Sequence, residues 1–240
     1  MLSHAGLPAI TRALGLDLSE SQLAALAAYR DRLAGAELNL VSARDRDQIE
    51  SRHLAESLAY GRLLQRQGLL PDGVRLLDLG AGGGLPGKPI RIACPAVRLT
   101  LLESVGKKCR FLEQVAQDLD LAGVVVLEGR AETFGRNEAH REQYDLVVAR
   151  AVAPLPVLLE YALPFLRTGG HLAAVKGTAA LDEIEAAEGA LQALGGHLVD
   201  APAFEPPQGP RQTVVIVRKD TPTPQRYPRR EGIPAKRPLA

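Results

Sequence analysis

Chemistry in this chain is offered where apolar segments stop. Val74, Leu76, Leu77 and Leu79 make a run without a helical stripe, the pattern of a strand buried on both faces, and a single acid, Asp78, interrupts it. The run empties into Gly80-Ala81-Gly82-Gly83-Gly84-Leu85-Pro86-Gly87, where glycines at 80, 82, 83 and 84 permit positive φ and remove the side chains that hold a ligand off the backbone. Pro86, with its fixed φ, suits the first turn of a following helix. Strand, bare loop and helix N-terminus together form a corner for a nucleotide. A second acid, Glu103, ends the next apolar run, Arg98–Glu103, where a carboxylate can accept hydrogen bonds from both hydroxyls of a ribose.

Two cofactor classes use such a corner. Gly82, Gly84 and Gly87 fit a dinucleotide fingerprint literally, but the glycine that ends the strand is Gly80, and counting from it places Leu85 where the third glycine belongs. Asp78-Leu79-Gly80-Ala81-Gly82-Gly83-Gly84 instead resembles motif I of the Rossmann-like S-adenosylmethionine-dependent methyltransferases, whose glycine loop packs against the cofactor. Three other side chains are candidates for positioning a substrate. Arg150 and Lys176 stand at the ends of apolar runs, and His53 lies on a helix in Arg52-His53-Leu54-Ala55-Glu56-Ser57-Leu58. A lone helical histidine is more often a structural residue than a catalyst, and the sequence offers no obvious catalytic dyad. Cys94 and Cys109 have neither metal-type clustering nor Cys-x-x-Cys spacing, so no metal site or disulfide framework is expected.

These residues need a sheet to hold them. From residue 74 onward strands and helices alternate, which implies βαβ units and a mostly parallel sheet. Strands are expected near 74–79, 98–103, 123–128, 144–149 and 171–176, and helices near 87–93, 106–119, 155–166 and 180–194. His197 to Phe204 and Gln212 to Arg218, joined by a Pro-rich stretch, predict an antiparallel hairpin at one side of the sheet. Before the sheet, a helix over 19–34 with Ser19 as N-cap and a second over 45–65 capped by Asp45 predict a helical extension. The division that follows is 1–66 for the extension, 67–219 for a Rossmann-like α/β domain and 220–240 for a basic, Pro-rich tail.

Charge and hydropathy exclude other classes. A charged fraction of 24% and the lack of any apolar run near 18 residues argue against a membrane span, and Met1 to Ile10 lacks the features of a signal peptide, so a cytoplasmic monomer is expected. The net charge is only +1, but the chain from 218 onward carries Arg218, Lys219, Arg226, Arg229, Arg230, Lys236 and Arg237 against Asp220 and Glu231. By composition this tail fits disorder, and its arginines, Tyr227 and prolines also suit RNA contact.

Further motifs narrow the resemblance. Asn39-Leu40-Val41-Ser42, the stretch Arg52 to Leu58, Leu85-Pro86-Gly87, Gly106-Lys107-Lys108 with Arg110-Phe111-Leu112, Val148-Ala149-Arg150-Ala151, Val175-Lys176-Gly177 and the ending Tyr227-Pro228-Arg229-Arg230 with Gly232 to Lys236 closely resemble the bacterial small-subunit ribosomal RNA guanine-N7 methyltransferases, the glucose-inhibited division protein B family. The chain departs from that pattern at Glu56, Leu85 and Glu103, where the family usually has Asp, Phe and Asp. The resemblance implies that Gly80, Leu85, Ala131, Glu132 and Arg150 contact S-adenosylmethionine, with Glu103 and Ser104 at the adenosine end and Gly82 within the loop. It implies a 16S ribosomal RNA or small-subunit substrate, methylated at a guanine N7, with Arg150, Lys176 and His53 positioning it. Two rivals remain: a nicotinamide-dependent oxidoreductase, for which the chain is too short to add a second domain, and a non-catalytic RNA-binding or cell-division factor.

Overall fold

The computed structural model describes residues 6–41 and 47–239. The apolar runs form five parallel strands, β1 (Arg75–Leu79), β2 (Arg98–Glu103), β3 (Val125–Glu128), β4 (Tyr144–Arg150) and β5 (Leu166–Lys176), of which β3 is an exposed edge strand. Three more complete the sheet, β6 (Gly196–Asp200), the short β7 (Ala203–Phe204) and β8 (Gln212–Lys219), in the order β3-β2-β1-β4-β5-β8-β6 with β7 also on β8. β8 runs antiparallel to β5, β6 and β7. Because β1 has β2 on one side and β4 on the other, the strand order reverses at β1, and a crevice opens beyond the C-terminal strand ends there.

Alternation along β1 divides the core. Leu77 and Leu79 pack with α7 (Leu155–Ala162) and α9 (Glu188–Leu194), while Leu76 faces α3 (Ala55–Arg66) and Ile90 of α4 (Gly87–Ala93). The helices α1 (Leu7–Ala13) and α2 (Glu20–Ala34) add a third cluster over α4 and α5 (Gly106–Asp118), centred on Leu26, Tyr29, Leu54 and Leu85. Ser19 closes a full capping box with Gln22, whose amide then reaches the Ile92 and Ala93 carbonyls at 2.8 and 3.1 Å. The Tyr60 hydroxyl donates to Ala173 O in β5 at 2.8 Å, so α3 is bonded to the sheet itself.

Several expectations meet tertiary corrections. The helix from 155 stops at 162, because Pro164 cannot continue it; a 3-10 turn over Leu163–Phe165 leads straight into a longer β5. The helix expected over 180–194 is two, α8 (Ala180–Glu185) and α9. The second N-terminal helix begins as a π-helical turn, Ile49–Leu54, before α3, and the Asp45 cap lies outside the described residues. The C-terminal segments are antiparallel at one side of the sheet as expected, with β8 between β5 and β6, and the extended segment expected over 197–204 is two strands, β6 and β7, both paired with β8. Three short helices, α1, α6 (Ala131–Phe134) and α10 (Ile233–Lys236), escape the periodicity argument.

The segment after β8 is ordered along the α6 and α7 side. Lys219, fully buried, donates to Glu142 and to the Leu163 and Leu166 carbonyls. The buried Arg141 guanidinium donates to the Thr223 and Tyr227 carbonyls, and the Tyr227 ring enters the core beside α7. Arg229 then forks onto Glu160 at 2.6 to 3.0 Å, where the Glu160 carboxylate is wholly buried. Composition reads this stretch as a free tail, whereas desolvated carboxylates and carbonyls fix it in place. Arg229→Ala leaves a buried carboxylate without its cation and is expected to cost on the order of 3 kcal/mol in urea denaturation, with Arg229→Lys recovering only part because it lacks the planar fork.

Candidate active site

The crevice at the strand ends is a cavity of about 520 Å³. Its floor is Leu79 and Gly80 from β1 and Leu102, Glu103 and Ser104 from β2; Gly129, Arg130, Ala131 and Glu132 form one side, and Ala151 to Pro154 with Val157 and Tyr161 the other. Ala235 and Pro238 stand over it. Such a volume lies within the range of small-molecule sites.

Close approach decides the local sequence. At Gly80, φ is +72°, and a Cβ would stand 2.9 Å from Val152 of the facing loop, so only glycine lets β1 end there. At Gly87, a Cβ would meet Asp78 Oδ2 at 2.7 Å; the Gly87 N–H donates to that oxygen at 2.8 Å, which pins the start of α4 to β1. Burial pushes the Asp78 carboxyl up to about 7, against the Gly87 N–H and the Arg150 charge, which lower it. The Tyr29 hydroxyl donates to Gly83 O at 2.6 Å from the N-terminal side of the loop.

Glu103 holds the other side. Its carboxylate accepts the Gly82 N–H at 2.9 Å, the Ser104 N–H at 2.8 Å and the Val105 N–H at 2.9 Å. A carboxylate has about four lone-pair positions, so three bonds leave acceptor capacity on the cavity side.

The candidates from the sequence divide. Gly80, Glu103, Ser104, Ala131 and Glu132 line the cavity together. Gly82, Leu85 and Arg150 lie outside that lining: Gly82 is held by Glu103, Leu85 packs in the N-terminal cluster, and Arg150 pairs with Glu56 at 3.1 Å. Lys176 is buried, donating to Ala153 O at 2.6 Å and pairing with Glu183 at 2.7 Å, while Glu183 accepts the Leu155 N–H at 2.6 Å; this triad fixes the loop that walls the cavity. His53 sits in the π-helical turn, its carbonyl accepting the Ser57 hydroxyl at 2.7 Å. Sequence reasoning missed Val152, Val157, Tyr161 and Pro238, which no motif marks, and Ala235, which lies in the family-like ending but carries no chemical signal. Among the described residues no cluster of His, Cys, Asp or Glu has the arrangement of a metal site.

The lining fits S-adenosylmethionine: Glu103 keeps about one acceptor position, enough for one ribose hydroxyl where the sequence suggested two, Ala131, Val157 and Tyr161 offer apolar surface for a heterocycle, and no Cβ obstructs the strand end at Gly80. With a parallel sheet closed by an antiparallel β8, this site defines a Rossmann-like S-adenosylmethionine-dependent methyltransferase. Solved structures agree on the fold: TrmN from Thermus thermophilus superposes with a TM-score of 0.54 at 19% identity, covering 70% of this chain and 53% of that one. A predicted O-methyltransferase from Agrobacterium tumefaciens gives 0.51 at 18%, covering 71% and 81%. The family described as "GidB: rRNA small subunit methyltransferase G" matches residues 22–213. Ribosomal RNA small subunit methyltransferase G of Chloroflexus aggregans is 47% identical over 232 residues, 95% of each chain. That of Symbiobacterium thermophilum is 48% identical over 208 residues, 84% of this chain and 83% of the relative. The chain belongs to this family.

Glu103→Ala removes a cavity-lining carboxylate that accepts three N–H groups. Calorimetry is expected to show cofactor binding weakened by about 1 to 3 kcal/mol, together with a lowered melting temperature. Asp78 gives a pH signature. An acid whose folded pKa exceeds its unfolded value near 3.8 loses stability as pH rises toward 7, since the unfolded chain releases a proton that the folded chain keeps. Asp78→Asn still accepts the Gly87 N–H, and its unfolding free energy is expected to fall less than that of the parent between about pH 4 and pH 7.

Proposed function

We propose that this protein, acting as a cytoplasmic monomer, transfers a methyl group from S-adenosylmethionine to N7 of a guanine in 16S ribosomal RNA. Family membership supports the RNA substrate, and the cavity lined by Glu103 is the observation that carries the reading. When bound, the cofactor supplies an electrophilic methyl group on a sulfonium sulfur. The chain's own contribution is placement: Glu103 would accept from the ribose, and Ala131, Val157 and Tyr161, which line the same cavity, would enclose the adenine. Lys176, through the Ala153 carbonyl and Glu183, keeps the loop after β4 against Gly80.

Guanine N7 carries an unprotonated lone pair at neutral pH and needs no general base. A site without an acid–base dyad is consistent with that acceptor. Alignment and exclusion of water then supply the rate, and well-oriented reactions gain on the order of 7 to 11 kcal/mol this way. An A-form helix hides the N7 edge in a narrow groove, so the target is expected in a loop or an opened junction.

RNA is met by exposed cations at the rim. Lys107 and Arg110 lie on α5, which begins just beyond Glu103, and Arg226, Arg230 and Arg237 lie on the C-terminal segment; among the described residues none of these five has a carboxylate within 4 Å. Labelled methyl transfer to small ribosomal subunits and to naked 16S RNA, with mapping of the modified base, tests the reading. Absence of transfer to either, with cofactor binding intact, would favour a non-catalytic RNA-binding factor. Arg226→Gln, Arg230→Gln and Arg237→Gln combined are expected to weaken RNA binding and reduce its log–log salt slope by roughly 0.7 to 0.9 for each phosphate no longer neutralised, with cofactor affinity preserved.

A further inference from the structure

The cavity is incomplete without the segment that follows the sheet. Its floor and sides come from strand ends and crossover loops, as the α/β fold dictates, but Ala235 and Pro238 also line it, more than a hundred residues from Glu103 and Glu132 in sequence. α10 (Ile233–Lys236) packs against α7, the helix that supplies Val157 and Tyr161.

The segment is held there by bonds that lead back to the cavity. Glu132 Oε1 accepts the Gly232 N–H at 2.9 Å, and the Thr133 hydroxyl donates to Glu231 at 2.6 Å. Arg229, locked on buried Glu160, donates to the Arg237 carbonyl at 2.7 Å and so anchors the C-terminal end of α10. Gly232, with φ at +73°, makes the turn that presents its N–H to Glu132. One oxygen of Glu132 is therefore spent on the protein's own backbone.

We propose that residues 232–239 are the outer wall of the adenosine pocket, and that Glu132 is a positioning residue that binds the cofactor largely through this wall. The inference rests on the reading of the cavity as the S-adenosylmethionine site. Ala235 and Pro238 close over the apolar slot opposite Ala131 and Tyr161, giving a flat heterocycle a covered face instead of an open cleft. Lys236 and Arg237 are exposed on the same segment, so one short stretch serves the cofactor on its inner side and carries cations to solvent on the other.

The test is calorimetric titration of the full chain and its variants with S-adenosylhomocysteine. Ala235→Trp fills the slot without removing a tether and is expected to weaken binding about tenfold or more, with the melting temperature of the unliganded protein unchanged. A chain ending at Gly232 keeps Tyr227, the Arg229–Glu160 pair and the Gly232 N–H, and is expected to lose affinity to a similar extent. Glu132→Ala is expected to lose affinity in the full chain but little further in the chain ending at Gly232, a non-additive cycle, and Glu132→Gln, which keeps an acceptor oxygen, to recover most of it. Parental affinity in both Ala235→Trp and the shortened chain would overturn the wall, and additive losses would overturn the role of Glu132. Failure of the intact chain to bind S-adenosylhomocysteine would overturn the reading of the cavity, and the wall with it.

Discussion

The carboxylate of Glu103 is the constraint around which the site is arranged. Three backbone N–H groups converge on it, one from the glycine loop after β1 and two from the turn after β2. Adjacent parallel strands would otherwise end in independent loops, and an anion at the tip of one strand fixes the path of both. Asp78 performs the matching task within β1 by holding Gly87 at the start of α4. Two buried acids thus set the loop from opposite sides, while Tyr29 bonds it from the N-terminal helices. The position of a ligand between the strand ends is a consequence of these backbone attachments more than of any side chain aimed at the ligand.

How much of this was legible in the sequence depends on the range of the interaction. β1, β2 and β4 were readable because a strand buried on both faces is a continuous apolar run, and Ser19 because a capping box is complete within four residues. The gap between α8 and α9 was not, since it falls at Ala186-Ala187, both good helix formers, while the weak helix former Gly189 lies inside α9; Glu183 is drawn to Lys176 and the Leu155 N–H. The order of the C-terminal segment was hidden for the same reason. Prolines and arginines in sequence look like a solvated tail, and only the fold brings the buried acid Glu160 opposite Arg229.

At the site, glycines and acids were visible and walls were not. Gly80 and Glu103 carry local signals, a strand ending in a bare turn and a carboxylate at a strand tip. Val157 and Tyr161 look like any helix residues facing a core, and Ala235 and Pro238 belong to a stretch without periodicity. Arg150 and Lys176, conspicuous as cations at strand ends, are engaged by Glu56 and by Glu183 with the Ala153 carbonyl. Charge at a strand end marks a place in the fold, and its partner decides whether it faces the ligand or braces the loop.

The insertion of β8 between β5 and β6 fixes the order in which the sheet can be completed as the chain is synthesised. β6 has no neighbour other than β8, and the face of β5 away from β4 is open until residues 212–219 exist. A chain that ends after β6 and leaves the ribosome without β8 has at most a five-stranded parallel sheet with a naked apolar edge, Leu172 to Val175, and a sixth strand with nothing to pair with. Any product halted in that interval carries the exposed edge with it. Release of the glycine loop and the acids from the ribosome does not end the chain's exposure to aggregation; the arrival of β8 does.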